Sequence, residues 1–204
     1  MKQIFPVSAG YYWSDCGAFM GVLPYPLWQT KTILDQRQRR RLNLNLLLIQ
    51  SGKRNILIDT GIGNRLSDKQ RDIYQPSEFL LPFSLAELGL KDRDITDVIM
   101  THLHFDHAGG IITNFGTYDA LTFPKAHYWI QKAEWEIGVS GEHNANPFFA
   151  PRKKPYPMPP FSYNREGNLL SDAAKRLGLH PFPIPMLRNS IRYNGRPACY
   201  RMRS

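Results

Sequence analysis

Residues 97–110, DVIMTHLHFDHAGG, place the strongest limits on how this 204-residue chain can fold. The apolar run at 97–101 predicts a buried strand, and three histidines and an aspartate follow it within six positions. Side chains two positions apart in an extended segment face the same side, so we expect His102 and His104 to point together. The glycines at 109–110 then permit a tight turn into a helix, with Asp106 as a candidate N-cap.

The donor types in this loop indicate a metal site. Neutral imidazoles with a carboxylate and no cysteine suit zinc best, and iron, manganese and cobalt are the other candidates. His102 and His104 can bind one ion, while Asp106 and His107 can bind a second. Histidines that only satisfy polar groups in a turn are the alternative, which this dense spacing disfavours.

Strands and helices alternate through residues 1–137, which predicts an α/β fold. The predicted strands are apolar or β-branched runs between turn signals, at 18–23, 44–50, 55–59, 97–101 and 126–130. A hairpin turn at 51–54 joins the second and third of them.

Capping signals predict the helices. Ser84 as N-cap, with Glu87 three residues later, forms a capping box for a helix over 84–90 that ends near Gly89. Further helices are predicted at 132–137 and 171–177.

The composition changes after residue 150. Residues 151–204 contain nine of the sixteen prolines, and their eleven Lys and Arg residues against two acidic residues account for the whole net charge of +9. We therefore predict a folded domain over 1–150 and an irregular basic tail over 151–204, which indicates a truncated or frame-shifted end. Because the charge lies in the tail, the sequence pI near 9.7 does not indicate a specific nucleic-acid partner.

Cysteine usage and the N-terminus bear on location. Cys16 and Cys199 lie far apart and show no metal or disulfide spacing, which suits a reducing cytoplasm. The first residues lack the apolar segment of a signal peptide, and the longest apolar run, 46–49, is too short to cross a bilayer. We predict a cytoplasmic protein without a membrane partner.

Two motifs carry a resemblance to a known family. THLHFDHAGG at 101–110 resembles the signature of the metallo-β-lactamase superfamily of metal-dependent hydrolases, and LIDTG at 57–61 resembles its strand ending in an aspartate and a tight turn. Segments that further resemble the branch containing N-acyl homoserine lactonases are 43–49, 59–63, 123–126 and Glu134-Trp135.

The resemblance implies a four-layer αββα sandwich, of which this chain carries the first αβ half, with a one- or two-zinc site at one sheet edge. It implies His102 and His104 as ligands of the first metal, and Asp106 and His107 as ligands of the second. Asp106 is also a candidate proton shuttle. Asp59 matches a residue beside the site that orients a ligand, and capping of its own turn is the alternative reading.

Three ligands of the superfamily lack a clear counterpart: a histidine in a Gly-His-Thr-like turn, an aspartate that bridges both metals, and a final histidine. Beyond His107 only His127, His143 and His180 remain, and no histidine, aspartate or glutamate follows His180. We interpret His127 as a structural strand residue and His143 as a loop residue. His180, in an unfamiliar Leu-His-Pro context, is the candidate replacement. We expect less than one tightly bound zinc equivalent.

The resemblance implies a hydrolase acting on an ester or lactone, with a metal-activated water as nucleophile, impaired because ligands are missing. A phosphodiesterase or nuclease-like member and a non-catalytic remnant are the alternatives. We also expect self-association through an uncovered sheet face. The side chains predicted on such faces are Leu46, Leu48, Ile56, Ile58, Val98 and Met100.

Overall fold

The computed structural model describes residues 2–139, with side chains through residue 136, and short strands at 161–162, 192–193 and 196–197. The strands are β1 Lys2–Asp15, β2 Arg39–Ser51, β3 Arg54–Ile58, β4 Asp97–Ile99, β5 Ile112–Asn114, β6 Asp119–Leu121, β7 His127–Trp129, β8 Phe161–Ser162, β9 Arg192–Tyr193 and β10 Arg196–Pro197. The helices are α1 Cys16–Met20, α2 Tyr25–Trp28, α3 Asp68–Tyr74, α4 Leu81–Glu87, α5 Phe105–Ala108 and α6 Lys132–Val139, with 3-10 turns at Gln29–Lys31, Asp92–Asp94 and Gly109–Ile111.

The chain divides into two compact units, residues 1–169 and 170–204. The first contains a six-stranded sheet in the order β1-β2-β3-β4-β7-β8 and a separate antiparallel pair, β5-β6. In the second, β9 and β10 pair antiparallel. The predicted boundary at residue 150 stays a prediction.

The six-stranded sheet is antiparallel on one side and parallel on the other. β1, β2 and β3 pair antiparallel, whereas β3, β4, β7 and β8 run parallel. Parallel neighbours require crossover connections, and α3 and α4 lie in the one between β3 and β4. The carboxyl ends of β3, β4 and β7 therefore share one sheet edge.

Most predicted strands are confirmed, with shifted ends, as β2, β3, β4 and β7, and Ser51 pairs with Arg54 at the predicted hairpin turn. The strand predicted at 18–23 is wrong. The chain instead forms the short helix α1, because an Asp15 carboxylate oxygen accepts a hydrogen bond from the Ala18 N–H and caps it. No strand was predicted at β1.

The capping box at Ser84 is also wrong. Helix α4 begins at Leu81, where Pro82 sits in the first turn with its φ already suited to a helix. Ser84 therefore lies inside the helix, and its hydroxyl donates to the Ser8 carbonyl. The helix ends at Glu87, two residues before Gly89, whose φ is +74°.

The hydrophobic core packs one face of the sheet against helix α4. It includes Val7, Leu46, Leu48, Leu57, Leu81, Leu85, Val98, Met100 and Tyr128. The expected exposure of Leu46, Leu48, Ile56, Val98 and Met100 is therefore wrong, since all five are buried, while Ile58 is half-buried. Exposed apolar side chains on the sheet are instead Ile4 and Leu47, at 59% and 44% exposure.

Among the described residues, the structure contains no helix long and apolar enough to cross a membrane.

Candidate metal centre

The histidine loop begins at the carboxyl edge of the parallel strands. Asp59 follows β3 directly, and its N–H donates to the Ile99 carbonyl at 2.9 Å. The Met100 N–H donates to the Trp129 carbonyl at 2.9 Å, so sheet hydrogen bonding continues to the residue before Thr101. The ends of β3 and β4 thus bring Asp59 beside the loop that starts at Thr101.

The turn after β3 lies against the histidine loop. The Thr60 N–H donates to the His107 carbonyl and the Gly110 N–H donates to the Gly61 carbonyl, both at 2.9 Å. Gly61 has a φ of +75°, and a Cβ there would lie 2.6 Å from the Ala9 Cβ. A Cβ on Gly109 would collide with the Ile62 carbonyl. This close backbone approach requires glycine at both positions.

The structure brings the predicted histidines together. The ring centroids of His102 and His104 are 4.7 Å apart, and those of His102 and His107 are 4.0 Å apart. Helix α5 starts directly after His104, whose carbonyl accepts from the His107 N–H at 3.0 Å. The N-cap position therefore belongs to His104, and the prediction of Asp106 as N-cap is wrong because the helix begins earlier.

Among the described residues, one further histidine, His127, lies away from this cluster. His127 pairs in register with Asp97 at the start of β4, so it lies at the opposite edge of the sheet. Its ring contacts that of Trp129 at a centroid distance of 4.4 Å. His143 and His180 lie outside the described residues.

Asp59 organises the cluster through three hydrogen bonds. It accepts from the Thr101 N–H at 2.8 Å, the Thr101 hydroxyl at 2.7 Å and Nδ1 of His107 at 2.8 Å. Because the Thr101 hydroxyl donates its only hydrogen to Asp59, it accepts from Nδ1 of His102 at 3.0 Å. Both rings then carry their hydrogen on Nδ1 and keep the Nε2 lone pair for a metal.

Charge and burial shift the pKa values of His102 and His107 in opposite directions. Burial, together with neighbouring His107 and His104, lowers the pKa of His102 to about 4, so this ring is neutral at neutral pH. Burial alone would also lower the pKa of His107, but the hydrogen bond to Asp59 and the charges of Asp106 and Asp59 outweigh it and raise that pKa. His107 therefore binds a metal in competition with a proton.

Asp106 and His107 are spaced as two ligands of one ion. Oδ2 of Asp106 lies 3.6 Å from Nε2 of His107. Two ligands of a tetrahedral zinc with bonds of about 2.1 Å lie about 3.4 Å apart. The imidazole and carboxylate donors thus fit zinc in type and in this spacing. Within the described residues, however, no three or more His, Cys, Asp or Glu side chains are grouped to hold an ion. The described loop offers ligand pairs rather than a complete set.

Two side chains from distant segments contact this loop without having been predicted to do so. The Tyr12 hydroxyl donates to Oδ2 of Asp106 at 2.9 Å, and Oε1 of Glu134 accepts from the Leu103 N–H at 2.9 Å. Glu134 had a signal in the sequence, as part of the Glu134-Trp135 segment that resembles the lactonase branch. Tyr12 had none.

The chain is similar to a known family and to several solved structures. The family model of the metallo-beta-lactamase superfamily matches residues 39–189. The solved structure of a probable metal-dependent hydrolase from Staphylococcus aureus is 30% identical, covers 80% of this chain and 58% of that one, and gives a TM-score of 0.70. The structure of AidC, a dizinc quorum-quenching lactonase with a bound homoserine product, is 23% identical, covers 72% of this chain and 50% of that one, and gives a TM-score of 0.56.

A curated protein matches over a shorter stretch. The large subunit of fructose dehydrogenase from Gluconobacter japonicus is 32% identical over 81 residues, which is 39% of this chain and 15% of that protein. Because the match covers so little of the dehydrogenase, it carries no inference about activity. The chain also spans only about half of these two solved structures, 58% and 50% of their lengths.

Proposed function

Because this chain belongs to the metallo-beta-lactamase superfamily, whose members are generally metal-dependent hydrolases, we propose that it hydrolyses a small ester or lactone with zinc at its histidine loop. The superfamily membership and the fold class were both predicted from the sequence and are confirmed. The described strands and helices correspond to the first half of that fold.

The convergence of His102, His104 and His107 at the carboxyl edge of the sheet carries this proposal. We assign His102 and His104 to one metal, and Asp106 and His107 to the other. Asp59 orients His107 directly and His102 through Thr101. A bound metal would supply a water of lowered pKa as nucleophile and polarise the substrate carbonyl. Asp106 is then also the candidate to shuttle a proton.

The substrate class follows from the likeness of this chain to lactonases. The likeness to AidC is one of fold, and the lactonase-like segments at 43–49 and 59–63 favour a lactone over other acyl compounds. The side chains from other segments that hydrogen-bond to the loop, Tyr12, Asp59 and Glu134, are neutral or acidic, so they offer a phosphodiester no cationic partner. A small neutral molecule is therefore the proposed substrate, without a nucleic-acid or membrane partner.

We further propose that this chain binds zinc weakly and hydrolyses its substrate slowly. Two ligand pairs are present at the loop, whereas the sequence contains no Gly-His-Thr-like turn to complete the first. His180 is the candidate to complete a set. The location proposed is the cytoplasm, since Cys16 is a buried free thiol and Cys199 shows no pairing motif.

Metal analysis followed by a substrate panel tests the proposal. The full chain is dialysed against buffer and its zinc measured, with His102→Ala as the site variant and His127→Ala as the matched histidine control. We expect less than one retained equivalent, and weak saturable binding of added zinc that His102→Ala abolishes and His127→Ala retains. In excess zinc, hydrolysis of an acyl homoserine lactone or a nitrophenyl ester should exceed that of bis(nitrophenyl) phosphate. The reverse preference, or absence of zinc binding, would overturn the assignment.

A further inference from the structure

The side chain of Tyr12, near the start of the chain, contacts the histidine loop. Tyr12 lies on β1, and its hydroxyl donates to Oδ2 of Asp106 across 94 positions of sequence at 2.9 Å. Only 5% of the residue is exposed. A phenol this deeply buried needs a hydrogen-bond acceptor, and in the described part of the chain that acceptor is the Asp106 carboxylate.

Aromatic packing fixes where the Tyr12 hydroxyl can lie. The ring packs edge-to-face on the rings of Tyr74 and Phe105, with centroid distances of 6.0 Å and 5.9 Å. The rings of Tyr74 and Phe105 also contact each other, with a centroid distance of 4.7 Å. Phe105 is the first residue of helix α5 and directly precedes Asp106. This packing therefore fixes the position of the Tyr12 ring relative to helix α5, which carries Asp106. The hydroxyl cannot move far enough to bond to another group.

The acceptor oxygen of this bond is the atom that faces the neighbouring imidazole. Oδ2 of Asp106 lies 3.6 Å from Nε2 of His107. A carboxylate on a free side chain rotates about its terminal bond, and a hydrogen bond to one oxygen stops that rotation. Asp59 holds the His107 ring from its other nitrogen. Asp106 and His107 are thus each held by one buried side chain from outside the motif.

We infer that Tyr12 is a positioning residue, which holds the Asp106 carboxylate beside His107 so that the two can take one divalent metal ion; this inference rests on the proposed function. Hydrogen-bond partners of metal ligands contribute strongly to affinity, and their loss typically weakens binding about 10- to 100-fold. A purely structural bond would affect folding alone.

Titration of the metal-free chain with Co²⁺, followed by the visible absorption of the bound ion, tests the inference. Tyr12→Phe removes one oxygen and retains the packed ring. Tyr128→Phe is the control, because this tyrosine is also buried and its hydroxyl donates to the Phe123 carbonyl instead of to Asp106. We expect the Co²⁺ dissociation constant to rise about 10- to 100-fold in Tyr12→Phe and to change little in Tyr128→Phe. Thermal melts of the metal-free variants establish that each is folded.

A double-mutant cycle separates positioning from general destabilisation. In an Asp106→Asn background, Tyr12→Phe should weaken Co²⁺ binding little further, because the contact through which it acts is already changed. Equal effects of Tyr12→Phe in both backgrounds, or unchanged affinity in Tyr12→Phe, would overturn the inference alone. A wild-type chain that binds no Co²⁺ would overturn the proposed metal site, and the inference with it.

Discussion

Two buried aspartates, Asp59 and Asp97, stand at opposite ends of neighbouring parallel strands and differ in what they bind. Asp59 follows β3, is 6% exposed and accepts from Thr101 and His107. Asp97 begins β4, is 4% exposed and accepts from the Trp129 indole at 3.0 Å and the Thr96 hydroxyl at 2.7 Å. Their burial is nearly equal, so burial does not distinguish their roles.

The difference lies in the chemistry of their partners. The groups bonded to Asp97 are an indole N–H and a hydroxyl, which are not the usual zinc ligands, and the Arg54 guanidinium lies 3.7 Å away. Asp59 is bonded directly to His107 and, through the Thr101 hydroxyl, to His102. Both imidazoles therefore carry their hydrogen on Nδ1 and keep a lone pair on Nε2 that can bind a metal. We therefore expect Asp97 to act on folding stability and Asp59 mainly on metal affinity.

The largest expected effect is at Asp97. Asp97→Ala leaves the half-buried Trp129 indole N–H without its acceptor and removes the shorter of the two bonds of the Thr96 hydroxyl, which keeps the Asn55 carbonyl at 3.2 Å. Because both lost bonds go to a charged group, the free energy of unfolding should fall by about 2–3 kcal/mol. Urea denaturation of the metal-free chain measures it. The control is Asp72→Ala, whose exposed ion pair with Arg37 has side chains 66% and 53% exposed, so about 0.5 kcal/mol or less is expected. Equal losses in the two variants would contradict the structural role.

Asp59→Asn tests the expected role of Asp59 in metal affinity. The asparagine amide would donate to Nδ1 of His107, which moves the ring hydrogen to Nε2 and removes the metal-binding lone pair. Zinc affinity should fall about 10- to 100-fold, measured by competition with a zinc-binding dye. The loss of unfolding free energy should be smaller than at Asp97, because an oxygen still accepts from the Thr101 N–H. Unchanged affinity would show that Asp59 only supports the turn.

A smaller effect is expected at Glu134, which holds the backbone between His102 and His104. Glu134→Ala leaves the Leu103 N–H without its acceptor and should cost about 1–2 kcal/mol of unfolding free energy, measured by urea denaturation. Glu134→Gln keeps an acceptor oxygen and should restore most of it. If the glutamine variant is as unstable as the alanine variant, the charge of Glu134 rather than its hydrogen bond matters.

The smallest expected effect is at Thr101, which relays Asp59 to His102. Thr101→Val keeps the shape but removes the hydroxyl, so His102 loses the acceptor that keeps its hydrogen on Nδ1. One neutral hydrogen bond corresponds to about 1 kcal/mol, or a several-fold loss of zinc affinity in the same dye competition. Thr113→Val serves as control, since its hydroxyl pairs with that of Thr122 in the β5–β6 hairpin. A greater loss than in Asp59→Asn would contradict the relay.

The sequence alone predicted β2, β3, β4 and β7, because a strand buried in a sheet needs apolar side chains that leave a local pattern. It did not predict β1. That strand contains Pro6 and Gly10, and its pairing with β2 shifts register between Ser8 and Tyr11, where Gly10 has a φ of +111°. Only long-range pairing with a regular partner makes such a segment a strand, so its own pattern does not report it.

The candidate metal loop was determined almost entirely by sequence, since His102, His104, Asp106 and His107 fall within six positions and local geometry suffices to bring them together. The tertiary structure decided what holds them. Tyr12 and Glu134 reach the loop across 94 and 31 positions, and such contacts depend on how β1 and α6 pack rather than on any local spacing. Both contributions meet at Asp59. The LIDTG motif indicated its place beside the site, whereas its bonds to Thr101 and His107 exist because parallel β3 and β4 end at the same sheet edge.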